Sequence, residues 1–387
     1  MGSITKRKRA GGHSWDARWR DPDGRSRRRA FARRVDAERF LATIVADVVR
    51  GDYVDPNDPT TFRQFAESWR EIQMHRPTTR AHVETHLRRH VYPRFGDRRL
   101  ASIRPSEIQH WVTTLSQTLA PATVQVIHGI VAAIFKAALR DRLVSTSPCE
   151  GTRLPKKLPV QIKPLATPIV LALAAAVPDR YRALIILAAG TGLRQGECFG
   201  LDLDHIDFDE RSLRVEKQLI LLPRRAPFFG PPKTSASHRT VPLPDTVVRE
   251  LRRHLDRFPI THPARLLFTD EHGDAIRRTA FSREVWRPAV KAAGAPPRTG
   301  FHDLRHYYAS LLIRHGESVK TVQHRLGHAT AAETLDTYAH LWPDSDDRTR
   351  DAVDAVLQPS DRPPPTPRRA AAVRPVSSTS RSQAPTL

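Results

Sequence analysis

Two proline-rich interruptions limit what this chain can fold into. One is Asp55-Pro56-Asn57-Asp58-Pro59; the other spans residues 151–164, where Pro155, Pro159 and Pro164 stand among Lys156, Lys157 and Lys163. Proline locks φ and has no N–H, so helices and central strands do not run through such stretches. The apolar pattern is therefore cut into separate blocks. At 387 residues, two or three bodies are expected, on a prior of about one per 150 residues.

Each block has its own periodicity. In residues 1–55, Trp15, Ala17 and Trp19 alternate with polar residues, Asp21-Pro22-Asp23-Gly24 supplies a turn, and residues 26–34 form a second run. This predicts a β-hairpin. Asp36 is then expected to cap a helix with Phe40, Leu41, Ile44, Val45 and Val48 on one face and Gly51 past its end. Residues 60–150 read as four helices. Thr61 and Gln64 make a capping box, residues 78–91 form a basic helix ended by Pro93 and Gly96, and further helices start at Ser106 and Ala122. Residues 165–345 mix helices with strand-like runs at 212–222 and 239–243. Residues 346–387 open on a weak helix and become Pro/Ser/Arg-rich, which predicts disorder. The expected fold class is multidomain and mainly α: a small basic β-plus-helix N-terminal module, a helical domain, and an α+β domain with a small antiparallel sheet.

Charge narrows the partner. Lys and Arg number 63 against 41 Asp and Glu, a formal net of +22, which calls for a polyanion, with nucleic acid first. Residues 1–34 concentrate it, with twelve Lys/Arg against three acids. Arg7, Arg9, Arg27, Arg28 and Arg29 there, Arg88 and Arg89 in the helical block, and Lys156 and Lys157 in the link are candidate DNA contacts. No run approaches the ~18 apolar residues of a membrane span, and the basic start leads into no apolar stretch, so no secretory signal is expected. Two cysteines, Cys149 and Cys198, exclude a disulfide framework and fit a reducing cytoplasm. Arginine outnumbers lysine 53 to 10, which suggests a GC-rich bacterial, phage or plasmid source and a nucleoid-associated, cytoplasmic protein.

Four segments of the third block could carry chemistry. Gly190-Thr191-Gly192-Leu193-Arg194-Gln195-Gly196-Glu197 breaks one helix and starts the next, with Glu197 one turn after Arg194. Pro232-Lys233-Thr234 lies between the strand-like runs. His302-Asp303-Leu304-Arg305-His306 sets His302 and Arg305 on one helical face. Leu326-Gly327-His328 ends a helix, and Tyr338 follows ten residues later. Singly, each reads as a turn, a solvated lysine, a half-buried helix or a packing tyrosine. Together they supply what transfer of a phosphodiester without a metal requires. Two arginines fork onto non-bridging oxygens, Tyr338 attacks, Lys233 can protonate the leaving oxygen, and His302 and His328 can manage the tyrosine proton or add donors.

In this order and spacing the segments closely resemble the tyrosine recombinases of the phage-integrase type. Thr191-Gly192-Leu193-Arg194-Gln195-Gly196-Glu197, Pro232-Lys233-Thr234 with His238-Arg239-Thr240-Val241-Pro242-Leu243, the His302–His306 stretch, Leu326-Gly327-His328 and Leu335-Asp336-Thr337-Tyr338 carry the likeness. It implies Tyr338 as nucleophile, Arg194 and Arg305 as catalytic arginines, Lys233 as the hairpin lysine, His302 and His328 as the two histidines, and Glu197 as a supporting acid. No catalytic position departs from the pattern, which implies an active enzyme. It further implies residues 60–150 as a core-binding domain and 165–345 as the catalytic domain. The basic linker 151–164 would cross double-stranded DNA between them, and residues 1–55 are similar to an arm-binding module. A homotetramer on DNA, a possible directionality factor or host DNA-bending protein, and no cofactor complete the expectation. The rivals are a type IB topoisomerase-like relaxing enzyme and a non-catalytic DNA-binding regulator on the same fold.

His82, His86 and His90 recur every four residues and could ligate a metal, but they stand among Arg80, Arg88 and Arg89 with no acid or cysteine at the same spacing. A DNA-facing or solvated face is the preferred reading, and no metal site is expected. Cys198 and the pair Trp15 and Trp19 are read as packing residues. If much of the +22 meets phosphates, binding to duplex DNA measured by filter retention or anisotropy will weaken steeply and log-linearly as salt rises. A flat salt response would remove this assignment of the charge.

Overall fold

The computed structural model describes residues 2–357 apart from 10, 11, 23, 52, 56, 57, 158–160, 223, 224, 233 and 343–345. The chain forms two bodies, residues 1–341 and 342–387. The first begins with a sheet of three antiparallel strands, β1 (Ser3–Arg9), β2 (Gly12–Arg20) and β3 (Ser26–Phe31), in the order β1-β2-β3. Helix α1 (Arg34–Arg50) lies on it and ends at Gly51, whose φ of 78° is the left-handed cap expected there. Trp19, Ile44 and Tyr53 form the small core, with Phe40 edge-on to Trp19 and the Trp19 Nε1–H donating to the Tyr53 hydroxyl at 3.0 Å.

Two expectations change here. The hairpin is a three-stranded sheet, because the basic run of residues 3–9 pairs along β2, with Lys6 opposite Trp15. A strand with one apolar residue gives no alternation to read. The helix is capped by extended Arg33, and Asp36 lies inside its first turn, where it accepts a hydrogen bond from Arg33 Nε at 2.9 Å. A carboxylate there also meets the positive end of the helix.

The middle block contains α2 (Phe62–Ile72), α3 (Pro77–His86), α4 (Tyr92–Phe95), α5 (Pro105–Ser116) and α6 (Pro121–Arg140). The Thr61–Gln64 capping box forms as read. Pro93 does not stop its helix. A π-turn, Leu87–Val91, joins α3 to α4, with the Tyr92 N–H reaching five residues back to the Leu87 carbonyl. The wider turn accommodates a ring that would clash with an α-helical carbonyl four residues back, and the helix ends only at Gly96. α6 is long and apolar enough to cross a membrane by length and composition, yet Val124, Ile127, Val131, Ile134 and Phe135 on it are fully buried with Leu87, Phe95 and Ile108.

Past the extended link, α7 (Thr167–Ala176) and α8 (Asp179–Thr191) begin the third block. Residues 183–189 of α8 are all buried, as a helix apolar on every side must be, and α7, α10 and α13 pack around it. α9 (Gln195–Phe199) follows, then β4 (Ile206–Asp207), β5 (Ser212–Val215), β6 (Gln218–Ile220), β7 (Phe228–Gly230) and β8 (Arg239–Pro242). The run at 212–222 is therefore not one strand. β5 sits between β4 and β8 in one antiparallel sheet, while β6 pairs with β7 in another. The break falls at Glu216 and Lys217, where Lys217 turns to pair with buried Asp202. Helices α10 (Asp245–Arg257), α11 (Arg278–Ala280), α12 (Arg287–Ala292), α13 (Asp303–Arg314), α14 (Val319–Leu326) and α15 (Ala331–Tyr338) complete this body.

The second body contributes α16 (Asp346–Leu357), the helix expected at the start of the tail. The disorder expected beyond it lies outside the described residues. Within the first body the middle cluster, from Phe62 to Cys149, and the third cluster, from Leu165 to Tyr307, share no residue. Phe135→Ala should therefore cost about 3–5 kcal/mol, as large core truncations do. Hydrogen exchange should show faster exchange in α5 and α6 and little change in α8. Equal acceleration in α8 would mean that the two cores unfold as one.

Candidate active site

Three consecutive carbonyls at the end of α14 organise the site. A helix leaves its last carbonyls without internal partners, and here each of three takes a guanidinium from a different part of the chain. The Arg325 carbonyl accepts from Arg239 Nε at 2.9 Å, that of Leu326 from Arg305 Nη2 at 2.6 Å, and that of Gly327 from Arg194 Nη2 at 3.0 Å. Gly327 closes α14 with a φ of 65°, the C-cap expected from its sequence. A Cβ there would sit 3.1 Å from the Ala236 carbonyl and the Arg239 guanidinium, so the glycine also lets these groups approach.

Arg194 caps α9, and Glu197, at the third position of that helix, returns to accept the Arg194 N–H at 2.9 Å. The same carboxylate accepts from Arg194 Nη1 at 3.0 Å and from Arg239 Nη2 at 2.9 Å. Burial alone would raise the Glu197 carboxyl, but the charges and hydrogen bonds of Arg239 and Arg194 outweigh it and hold it below the usual range. Arg305 is 2% exposed and also donates to the Gly192 carbonyl at 2.8 Å. Burial, with the charges of Arg194 and Arg239 beside it, pushes its guanidinium down to about 9. Arg194 and Arg239 thus share one carboxylate with the Arg305 charge nearby, and the excess is positive.

Tyr338 ends α15 and is 1% exposed. Its hydroxyl lies 2.8 Å from His306 Nδ1, and the His328 ring stacks parallel to it at 6.4 Å. Burial pushes the phenol up to about 12, while Arg305 pulls it the other way. His328 is buried beside Thr334, with Nδ1 2.8 Å from its hydroxyl. Loss of water and the charges of Arg305 and Arg194 bring its imidazole down to about 3, so it is neutral. His302 is the exposed residue that precedes α13, and its ring stands edge-on to that of His306 at 4.8 Å.

The fold thus brings Arg194, Glu197, Arg305, His302, His328 and Tyr338 to one place. Lys233 lies outside the described residues; its neighbour Pro232 accepts a hydrogen bond from Arg76 Nη1 at 3.2 Å, from the start of α3. Two site residues escape sequence spacing. Arg239, with its side chain fully buried, sits in a strand that alternates as any half-buried strand does. His306 stands next to Arg305 and shows no partner until α15 folds back over α13. Nearby, Gln195 of α9 shares a basic cleft with Arg278, Arg287, Lys291 and Arg298, and Arg298 holds a strained φ of 71° four residues before His302.

The candidate DNA contacts divide. Arg89, Lys156 and Lys157 are exposed. Arg88 is exposed but bonded to Glu84 at 2.9 Å, and Arg7 and Arg28 flank buried Asp16 at 4.0 and 3.6 Å. Arg29 lies over the Phe31 and Phe40 rings, and Arg27 pairs with Asp21 and Asp55, so both are engaged within the module. The Arg9 side chain lies outside the described residues. The rings of His82, His86 and His90 are spaced 6.4 and 6.1 Å apart, and no cluster able to hold a metal occurs among the described residues. Cys198 is fully buried in the core, and Trp19 packs its module, both as read.

Removing the shared carboxylate charge tests the array. Glu197→Gln keeps the shape but leaves fully buried Arg239 without its counterion, which should cost about 3–5 kcal/mol in denaturant unfolding. Because the folded carboxyl titrates below its ordinary value, its contribution is present above about pH 4.5 and fades as pH falls through the folded value. The variant should lose that part of the acid sensitivity.

Comparison with known proteins agrees with this geometry. Residues 168–344 match the Phage integrase family, and residues 61–116 match the phage integrase N-terminal SAM-like domain. A prophage phiRv2 integrase of Mycobacterium tuberculosis is 29% identical over 343 residues, covering 84% of this chain and 88% of the relative. A XerC-like tyrosine recombinase of Caldanaerobacter subterraneus is 27% identical over 357 residues, covering 84% and 90%. In fold, the chain is similar to the Tn1549 transposon integrase in complex with a circular intermediate DNA, with a TM-score of 0.65, 20% identity and 76% and 99% of the two chains covered. It is also similar to a lambda integrase dimer bound to a core site, at 0.57 and 18%, covering 88% and 95%. With both family segments matched in chain order, the chain belongs to the phage integrase family of tyrosine recombinases.

Proposed function

We propose that this protein recombines specific DNA sites by holding one strand of each duplex on Tyr338 as a 3′-phosphotyrosyl bond. The observation that carries the reading is the array of Arg194, Arg239 and Arg305 on the last carbonyls of α14, with one carboxylate bonded to two of them, beside a buried tyrosine. A phosphodiester is the anion that such an array would complete. Arg194 and Arg305 would place forked donors on its non-bridging oxygens, where charge grows in the transition state. The Tyr338 oxygen forms a bond to phosphorus as the bond to the 5′ oxygen breaks, and Lys233 gives that oxygen its proton. His302 and His328 add donors, and Glu197 holds the arginines in register. Because the phosphotyrosyl bond keeps the energy of the bond that was broken, resealing needs no ATP. The guanidiniums take the charge-neutralising part that a metal plays elsewhere.

The domain roles are part of the same reading. Residues 60–150 would grip the core site opposite the catalytic domain, 165–345, with linker 151–164 crossing the duplex. A cleft lined by Arg76 and His82 on one side and Gln195, Gln218 and Arg278 on the other supports a clamp. Residues 1–55, a basic sheet with a helix on it, would read arm-type sites. Four copies would act on two duplexes. Exposed Val353, Val356 and Leu357 on α16 suit docking on a neighbouring copy within 346–387. Directionality or DNA-bending factors would bias the outcome toward integration or excision, and the protein would work in the bacterial cytoplasm, on the nucleoid.

A nicked duplex that loses its short 5′ fragment after cleavage traps the covalent step. Offered the ends of its own element, the wild type should form a protein–DNA adduct that resists denaturant, and Tyr338→Phe should form none. An adduct that survives Tyr338→Phe would defeat the mechanism. Relaxation of any supercoiled plasmid, whatever its sequence, would instead make the protein a topoisomerase.

A further inference from the structure

We infer that His306 is the general base for Tyr338: its Nδ1 takes the phenolic proton as the tyrosine attacks and returns it when the strand is resealed. The inference rests on the reading of Tyr338 as the nucleophile and deepens it. Its basis is geometric. His306 Nδ1 lies 2.8 Å from the Tyr338 hydroxyl, within the reach a proton transfer needs. His302 instead reaches the tyrosine only through His306, edge-on at 4.8 Å. His328 faces the tyrosine ring, and its Nδ1 is engaged with Thr334.

The groups around His306 fit the role. Asp303, Arg305 and His302 face it from its own end of α13, Tyr338 from α15, and His328 from the residue after Gly327. Burial first, then Arg305, depresses the imidazole, while Asp303 opposes them. The ring is therefore neutral near neutral pH, and in the tautomer that carries its proton on Nε2 the Nδ1 lone pair accepts the phenolic hydrogen. An imidazolium there could accept nothing. The buried phenol, pushed up to about 12, is scarcely ionised without such a base.

The step balances. The tyrosine O–H bond breaks and its proton passes to Nδ1, the Tyr338 oxygen bonds to phosphorus, and the bond to the 5′ oxygen breaks, with that oxygen protonated by Lys233. In the second half, the incoming 5′ hydroxyl loses its proton to the lysine and bonds to phosphorus. The Tyr338 oxygen leaves and recovers its proton from the His306 imidazolium. One residue thus serves as base and then acid, as microscopic reversibility requires.

The experiment compares wild type, His306→Gln, His306→Ala, Lys233→Ala and Tyr338→Phe on the nicked duplex, after checking that each binds it equally. Glutamine can still hold the phenol but cannot take its proton. Adduct formation by His306→Gln should slow about a hundredfold, the lower range for a positioned general base. Rates for the wild type should fall as pH drops through the folded His306 value, which burial sets below that of a free imidazole, and the variant should lose that limb. Imidazole in the buffer should restore His306→Ala in part and His306→Gln not at all. A substrate with sulfur in place of the 5′ bridging oxygen needs no proton on its leaving group. It should rescue Lys233→Ala and leave His306→Gln slow.

A His306→Gln rate and pH profile equal to wild type would overturn the inference while the Tyr338 reading stands. So would rescue of His306→Gln by the sulfur substrate, which would move its role to the leaving group. Faster adduct formation in His306→Ala would make His306 a latch, not a base. If the wild type forms no adduct, or Tyr338→Phe still does, the underlying reading falls and the inference with it.

Discussion

The site depends on how the end of one helix is satisfied. Carbonyls 325, 326 and 327 leave α14 without internal partners, and Arg239, Arg305 and Arg194 supply them. The negative end of a helix favours cations, so the arrangement satisfies buried carbonyls and holds buried guanidiniums together. It also ties four distant pieces to one point: the turn before α9, strand β8, helix α13 and the helix that carries His328 at its exit. Tyr338 then has a fixed wall to lie against. Without that helix end the arginines would have no reason to leave water.

The electrostatics follow from the same contacts. One carboxylate, Glu197, lies among three guanidiniums, and Arg305 is depressed to about 9 by burial and its like-charged neighbours. A charge array of this kind is a weak source of stability, since desolvation offsets much of the attraction. Its unbalanced charge makes sense as a site prepared for a further anion. Donors already fixed in place would need no reorganisation if charge developed on a phosphate bound there. Tyr338 is guarded in the same structure: buried, it stays protonated, its hydroxyl engaged with His306.

What could be read from the sequence was mostly local. Arg194 and Glu197 are three residues apart, the spacing of a helix start and its returning carboxylate, and they form that pair. Gly327 reads as a helix end and is one. Thr61 and Gln64 cap as their residue types predict. What stayed hidden depends on long-range contacts. Arg239 looks like any residue of β8 until its neighbours across 42 positions in sequence and at α14 are known. His306 takes its partner from 32 residues away. The strand at residues 3–9 has no apolar alternation of its own and forms because β2 offers a pairing edge. Pro93 was legible as a breaker, but a π-turn whose Leu87 and Val91 are buried in the middle core absorbed its ring.

These contacts also explain why Tyr338 and the arginines cannot be treated as independent parts. Arg305 binds the Leu326 carbonyl, one residue before the glycine that turns the chain to His328, and the His328 ring lies parallel to that of Tyr338 with centroids 6.4 Å apart. Arg305 also draws the phenol toward ionisation from the side opposite to burial. In the proposed mechanism a bound phosphate would offset part of that pull, so the arginines would favour the phenolate less at the moment of attack. Something other than the cations must then take the proton. A neutral imidazole in contact with the hydroxyl meets that need, because its affinity for a proton rises as the anion arrives and the arginines' repulsion of a second positive charge falls.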